Sequence, residues 1–325
     1  NTYTAQLGLA LATKVSLNYV WLNAPLLKNE ANHIYIPNIN LANAQREPEL
    51  AKLIIQNIGK IANPIFHFNW LNHLPIAFYL KQQISCKIVL TKHCIPWRDL
   101  VTSHYPSFYQ INQAFVKGQY YKINNPKLLQ EQVNYSFVDE IITVTQCAKK
   151  SLIQLFNIDE EKITVVSNGL SANVVPIKSP SEKIALRHKY GFSLSEKLII
   201  YAGNVNPRKG IFDVVKAFGK LVKKHPNVRL LIAGPGNYDS VIKLAKGYWS
   251  KITLLGSLDK KTLYSFYQMA DIRIAPSYIE QCSYTCIEMM QSGLALVVSD
   301  VDGLQEMVNE QCGLKIKVDF KKDGV

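Results

Sequence analysis

The chain has 325 residues and a formal net charge of +13 at pH 7, with 48% hydrophobic and 19% charged residues. That balance excludes a disordered chain and fits two domains of ordinary size, each able to bury a core. No apolar run reaches the length of a membrane span, no signal peptide is visible, and no basic stripe or motif of a nucleic-acid binder is present. The positive charge is spread over both halves and reads either as a solvated surface or as attraction to anionic partners, an anionic membrane among them. Cys86, Cys94, Cys147, Cys282, Cys286 and Cys312 show neither CxxC pairs nor a His-rich metal spacing. They read as buried, reduced thiols of a cytosolic protein.

Residues 2–13 read as an amphipathic helix and 15–22 as a strand. Strand-like runs recur at 34–36, 64–68 and 87–91, with helical stretches at 48–58 and 72–83 between them. Such alternation predicts a parallel, doubly wound sheet. Residues 97–131, with Tyr105, Tyr109, Tyr120 and Tyr121, show no clear periodicity; the aromatics suit sugar rings or ordinary packing. A strand at 137–145, a helix to Leu155 and a strand running into Asn168-Gly169 close a first domain, 1–170. Two prolines and several serines mark a linker, 171–195, and a second domain covers 196–325. It opens as strand (198–202), Gly203 turn and helix (211–223), followed by a strand at 228–233 that ends in Gly234-Pro235-Gly236. Backbone without side chains at those two glycines would let a ligand approach closely. A strand at 252–255, a helix at 259–270 and a strand at 272–275 come next.

Seven residues separate Glu280 from Glu288 in the segment after that last strand, and an apolar helix-like run ends at Gly293 before a strand at 294–299. Glu280 then lies in the loop after a strand, where open α/β sheets bind ligands. Glu288 lies a turn or two into a helix whose first residues are Cys282, Ser283, Tyr284 and Thr285. A helix start attracts phosphate through free N–H groups and its dipole. Eight helical positions cover roughly 12 Å at about 1.5 Å each, about the length of a sugar diphosphate with its ribose. One carboxylate would hold sugar hydroxyls, the other ribose hydroxyls, and the helix start the diphosphate.

The Pro276-Ser277…Glu280-x7-Glu288 segment, with Gly293 and the run Ser299-Asp300-x-Asp302-Gly303-x-x-Glu306, resembles family 4 of the retaining glycosyltransferases, whose fold (GT-B) is two Rossmann-like domains facing a cleft. The resemblance implies further roles. Gly203-Asn204-x-x-Pro207-Arg208-Lys209-Gly210 is similar to the family's Gly-Arg-x-x-Pro-x-Lys-Gly loop, which puts Lys209 on the donor diphosphate. Asn204 stands where the family has Arg, a missing charge that either weakens diphosphate binding or recruits the adjacent Arg208. Phe66-His67-Phe68-Asn69-Trp70 resembles the family's His-x-His-type strand end, with Asn69 in the second His place, and Thr91-Lys92-His93 its Thr-x-His, whose His faces the donor sugar. His67, Asn69 and His93 are therefore sugar or acceptor candidates, with a structural role for the two histidines as the other reading. The catalytic candidates are His93, Lys209 and Glu280. Donor binding is assigned to Gly203, Asn204, Arg208, Lys209, Gly234, Gly236, Glu280, Cys282, Ser283, Tyr284, Thr285 and Glu288, and the nucleobase to the loop after Gly256.

The implied activity is transfer of a sugar from a nucleotide-diphosphate sugar to a glycan, lipid or other acceptor hydroxyl, with retention, without a cofactor and without a metal. Asp300-x-Asp302 does not fall on the strand end where a metal pair would stand. Relatives begin with a further strand and Gly-rich loop and end with helices beyond Val325, so the sequence reads as clipped at both ends. The implied location is the cytoplasm, with peripheral contact at the inner membrane face, and a role in cell-surface glycan synthesis. A non-catalytic sugar-nucleotide binder, a GT-B-like epimerase and a phosphorylase-like enzyme are the other readings.

Overall fold

A computed structural model describes residues 2–24, 33–37, 43–94, 126–172, 174–175, 177–293 and 295–318. The chain divides into two compact units, the first closing at Ser167 and the second running from Asn168.

In the first unit, α1 (Thr2–Leu11) precedes a parallel pair, β1 (Tyr19–Ala24) and β2 (His33–Pro37). Strict alternation decides their faces. Ile34 and Ile36 enter the core with Val20 and Leu22 against them, leaving Tyr19, Trp21, His33 and Tyr35 together on the other side. After α2 (Asn43–Ile58), a four-stranded parallel sheet follows, in the order β3 (Ile65–Phe68), β4 (Lys87–Lys92), β5 (Glu140–Thr143), β6 (Ile163–Val165). The helices α3 (Pro75–Gln83), α4 (Pro126–Tyr135) and α5 (Gln146–Phe156) stand between these strands in sequence.

The Tyr-rich stretch with Tyr105, Tyr109, Tyr120 and Tyr121 lies outside the described residues. Its last part is α4 and not irregular chain, opened by Pro126 at the position where a missing N–H costs least.

In the second unit, α6 (Pro180–Lys189) lies inside the stretch read as linker. A capping box starts it: Ser179 Oγ accepts the Glu182 N–H, and the Glu182 carboxylate accepts the Ser179 N–H at 2.8 Å. Arg187, in its last turn, donates to the Met269 carbonyl and to Asp271. The capping box was legible in the sequence as Ser-x-x-Glu and outweighs the loop signal of the prolines.

Six parallel strands follow: β7 (Lys197–Ala202), β8 (Val228–Ala233), β9 (Ile252–Gly256), β10 (Ile272–Ala275), β11 (Leu296–Ser299) and β12 (Gly313–Ile316). Their spatial order is β12-β11-β10-β7-β8-β9. Counted from β7 this is 6-5-4-1-2-3, the doubly wound Rossmann order. Right-handed crossovers put α7 (Ile211–Lys224) and α8 (Asp239–Leu244) on one face. They put α9 (Lys260–Met269), α10 (Tyr284–Gln291) and α11 (Leu304–Met307) on the other.

The core divides accordingly. Leu198 and Ile200 pack with Phe266, Met289 and Leu304, whereas Tyr201, Leu230 and Ile232 pack with Val215 and Phe218. A strand buried on both faces reads as a continuous apolar run, and Leu198-Ile199-Ile200-Tyr201-Ala202 is one. The short α8 and α11 and the edge strand β12 carry too few periodic residues to be predicted.

A buried polar knot ties α4 to β4. Lys92, the last residue of β4, donates to Glu131 and to the Tyr135 hydroxyl, and that hydroxyl donates to Glu131. All three side chains are buried, and burial together with Glu131 holds the Tyr135 phenol well above its usual range. Removing one partner of a buried pair strands the other charge, so Lys92→Met is expected to cost about 3–5 kcal/mol. Lys92→Met/Glu131→Leu, which removes both charges, is expected to cost less than the single change. Urea midpoints of the three proteins check this; a double variant no more stable than the single one would refute the coupling.

Candidate functional site

The strand order reverses between β7 and β10, and loops leaving the carboxyl ends of those two strands meet there. The first, 203–210, closes with a 3₁₀ turn, Pro207–Lys209, capped by Asn206 Oδ1 accepting the Lys209 N–H at 3.2 Å. The second, 276–283, runs into α10. Three contacts join them. The Tyr278 N–H donates to the Arg208 carbonyl at 2.9 Å. Gly210 lies so close to Pro276 that a Cβ on it would stand 2.0 Å from the Pro276 carbonyl oxygen, and its φ of +68° is in the left-handed region. Lys209 Nζ donates to Glu280 Oε2 at 2.6 Å, with both side chains partly exposed. Lys209 and Glu280, read separately from the sequence, are thus brought into one ion pair.

Glu280 is also held from behind. Its N–H faces Asp302 Oδ2 at 3.4 Å and its carbonyl accepts the Gly303 N–H at 3.0 Å. Asp302, at φ +41° and buried, therefore orients this loop. Sequence reasoning quoted Asp302 in a motif without giving it this role; the Asp-Gly turn signal at 302–303 was the available clue.

Asn204 is exposed, and its carbonyl accepts the Tyr201 hydroxyl at 2.7 Å. Gly234 and Gly236 have a reason different from ligand access. A Cβ on Gly234 would lie 2.0 Å from the Gly203 carbonyl oxygen, and one on Gly236 2.7 Å from that of Val205. The Gly203 and Val205 N–H groups donate to Ala233 and Pro235 at 2.9 and 2.8 Å. The glycines let the two strand ends continue side by side past the sheet.

Helix α10 begins at Ser283, whose Oγ accepts the Cys286 N–H at 3.5 Å; Tyr284 and Thr285 form the start of its first turn. Cys282 is buried, its thiol pushed up by burial, and its carbonyl accepts Asn168 Nδ2 at 2.7 Å. Glu288 is buried on the inward side of α10 and paired with Lys260 at the start of α9. A largely apolar hollow of about 630 Å³ lies against α7, lined by Val214, Phe218, Ile274 and Val297 together with Gly210, Pro276 and Tyr278 of the two loops and with Lys317.

In the first unit, the ends of β3 and β4 bring the two histidines together. His67 Nε2 is 2.6 Å from Thr91 Oγ1, and the Tyr3 hydroxyl of α1 is 3.0 Å from the same oxygen. The Tyr3 ring meets His93 edge-on at 4.2 Å. Burial lowers the pKa of both histidines, that of His93 to about 4 with His67 adding to the effect, so both rings are neutral at pH 7. A neutral imidazole offers a partner hydrogen bonds and no positive charge. Among the described residues, His93 Nε2 and Asn69 Oδ1 are buried with no hydrogen-bond partner. Tyr3 was not singled out in the sequence, since nothing local marks a tyrosine whose partner is 88 residues away.

Residues 182–321 match the family described as glycosyl transferases group 1. An uncharacterised glycosyltransferase of Methanocaldococcus jannaschii is 32% identical over 176 residues, covering 53% of this chain and 45% of that protein. The chain thus spans about half the length of this curated relative. Among solved structures, sucrose-phosphate synthase from Thermosynechococcus elongatus superposes with a TM-score of 0.71 at 19% identity, covering 99% of this chain and 81% of that one. Anabaena HepE, solved in complex with UDP and glucose, gives 0.66 at 17% identity, covering 90% and 75%. These neighbours are GT-B glycosyltransferases, and the fold of the chain is theirs.

Two predictions follow from the geometry. Gly210→Ala meets both the left-handed strain of about 1–2 kcal/mol and the Pro276 carbonyl. Gly191→Ala, at φ +72° with open space around it, meets the strain alone. Urea unfolding should rank Gly210→Ala as clearly the more damaging, and equal costs would deny the close approach.

His93, at about 4 when folded and 6.5 in its ordinary state, is protonated first in the unfolded chain. Its contribution therefore lowers stability as the pH falls from about 6.5 to about 4, and is flat above that window. His93→Gln should lose less stability than the wild type over this range; identical pH profiles would contradict the buried, neutral ring.

Proposed function

We propose, on the premise that residues 182–321 are a glycosyl transferases group 1 domain, that the protein transfers a sugar from a nucleotide-diphosphate sugar to a hydroxyl of a glycan, lipid or other acceptor, with retention and without a metal. The observation that carries this reading is the Lys209–Glu280 pair at the switch point of the six-stranded sheet. It joins a cation for phosphate to an acceptor of sugar hydroxyls where such sheets bind their ligands. The name of the Anabaena neighbour, solved with UDP and glucose, supports the donor class.

Chemistry assigns the parts. Breaking the glycosidic C–O bond builds positive charge on the sugar and negative charge on the departing diphosphate. Lys209, Arg208 beside it and the N–H groups at the start of α10 answer the negative charge without a metal. Glu280 turns to the sugar hydroxyls once phosphate engages Lys209, and Glu288 accepts from the ribose. His67, Asn69 and His93 are the neutral hydrogen-bonding groups for sugar or acceptor. The acceptor oxygen attacks from the leaving-group face, and its proton passes to the diphosphate oxygen. Asn204 brings no charge to this loop, and Arg208 serves as the second cation. The net charge of +13 favours an anionic surface as the place of work, at the inner face of the cytoplasmic membrane. No described helix is long and apolar enough to cross a membrane.

The test is release of nucleoside diphosphate from a panel of nucleotide sugars incubated with glycan and lipid acceptors. Release is expected from at least one donor. Lys209→Ala is expected to slow it by about 10²–10³-fold, the usual effect of losing one preorganised contact to developing charge. Tight binding of a nucleotide sugar without release from any donor–acceptor pair would favour a non-catalytic binder.

A further inference from the structure

Glu288 has three neighbours whose chemistry bears on its carboxylate, all from α9. Lys260, the first residue of that helix, gives its ammonium to Glu288 Oε1. Tyr264, one turn on, is hydrogen-bonded to the carboxylate, and burial together with Glu288 pushes its phenol up to about 12. The Tyr267 hydroxyl, fully buried, is held well above its usual range by burial and by the same charge. Exposure separates them. The Glu288 side chain is 2% exposed and that of Lys260 59%, while Tyr264 is only half-buried and Tyr267 not exposed at all. Lys260 is fixed at its backbone by the start of α9, where Asp259 Oδ1 accepts the Thr262 N–H at 3.0 Å. Its ammonium lies 5.8 Å from the Tyr264 ring centroid while it meets the carboxylate.

We propose that Lys260 is a removable cap on Glu288, so that ribose hydroxyls reach the carboxylate only by displacing its ammonium. Lys260 thereby sets how strongly the site prefers a ribonucleotide to one lacking the ribose hydroxyls. This rests on the donor reading above, in which Glu288 accepts from the ribose. The asymmetry of exposure is what makes the cap removable. A lysine head in water is a hydrated charge on a flexible four-carbon stem, and water can take the place of its carboxylate partner. A buried carboxylate cannot turn to water in exchange and must be handed from one donor to the next. Ribose, with two adjacent hydroxyl donors, is a suitable second partner. Until it arrives, the cap pairs with Glu288 beside a layer containing Met289 and Phe266. Lys260 is in this sense a positioning residue, acting on the nucleotide through Glu288.

The test is calorimetric binding of UDP, ADP and GDP, each paired with its 2′,3′-dideoxy analogue, to the wild type, Lys260→Met and Lys260→Arg. The ratio of ribo to dideoxy affinity is the readout, because a purely structural role for Lys260 would move both members of a pair together. Lys260→Met removes the competitor, and the ratio should rise about 2- to 5-fold. Lys260→Arg grips the carboxylate through a fork of donors, and the ratio should fall below that of the wild type. The dideoxy affinities should be unchanged throughout. Equal ratios in the three proteins, or parallel weakening of both nucleotides in Lys260→Met, would overturn the cap while leaving the donor reading in place. Absence of binding for every nucleotide in every protein would instead overturn the donor reading itself.

Discussion

The ion pair between Lys209 and Glu280 depends on a single topological fact, the reversal of strand order between β7 and β10. Adjacent strands whose following helices pack on opposite faces leave a gap at their carboxyl ends, and loops from both can enter it. Here the two loops enter so closely that Gly210 has no room for a side chain against Pro276, and the Tyr278 N–H is satisfied by the Arg208 carbonyl. A backbone seam of this kind fixes where the side chains beyond it start. Lys209 and Glu280 lie one and four residues from the seam positions Gly210 and Pro276, and their meeting follows from the path of the chain. The same economy explains Asp302. A buried carboxylate on the neighbouring β11–α11 connection takes the Glu280 N–H, so the loop is held on the side away from Lys209 as well.

Electrostatically the second unit is balanced in advance. Each carboxylate assigned to the donor holds a lysine, Glu280 with Lys209 and Glu288 with Lys260. The two pairs differ in burial, and the difference has consequences. Glu280 and Lys209 are both partly exposed, so either can exchange its partner for water during an encounter with a ligand. Glu288 has no such freedom, and its charge is tolerated only because an ammonium and a phenol attend it. The strand ends of the first unit take the opposite course. Burial keeps His67 and His93 neutral, and recognition there would proceed through hydroxyl hydrogen bonds in the manner of Thr91, which already serves both His67 and Tyr3. The candidate residues of one unit thus carry charge, and those of the other neutral polarity.

Much of this was legible in the sequence because the relevant signals are local. The apolar run at 198–202, the turn at Gly203 and the Asn-Pro start of the 3₁₀ turn each act over a few residues, and they placed Lys209 correctly at the end of a strand–loop unit. Glu280 and Glu288 were legible for the same reason, with Ser283 as the cap that begins α10. What escaped the sequence is long-range. Lys260 is one lysine of a Lys-Lys pair at a helix start, and only the packing of α9 against α10 turns its head onto Glu288. Tyr3 reaches Thr91 through tertiary packing alone. Lys92 stands between Thr91 and His93 and is buried because α4 supplies Glu131 and Tyr135 at helical spacing on one face. Helix α6 was missed for a different reason, the weight given to prolines over a four-residue capping box.

Two glycines have a packing reason that the sequence reading did not include. Gly234 and Gly236 were picked out as places where a ligand could approach bare backbone, and the backbone that approaches them is the chain's own. The parallel bridge between Val205 and Gly236 extends the β7–β8 pairing beyond the named strands, carrying the 203–205 segment outward before it turns into the 3₁₀ loop. Without that extension the turn at Pro207–Lys209 would begin at the sheet's rim, and Lys209 would have to span the extra distance to Glu280 with its own side chain. Glycine at 234 and 236 therefore serves the candidate site by lengthening a strand pair. Its contribution lies in the reach of the Lys209 loop.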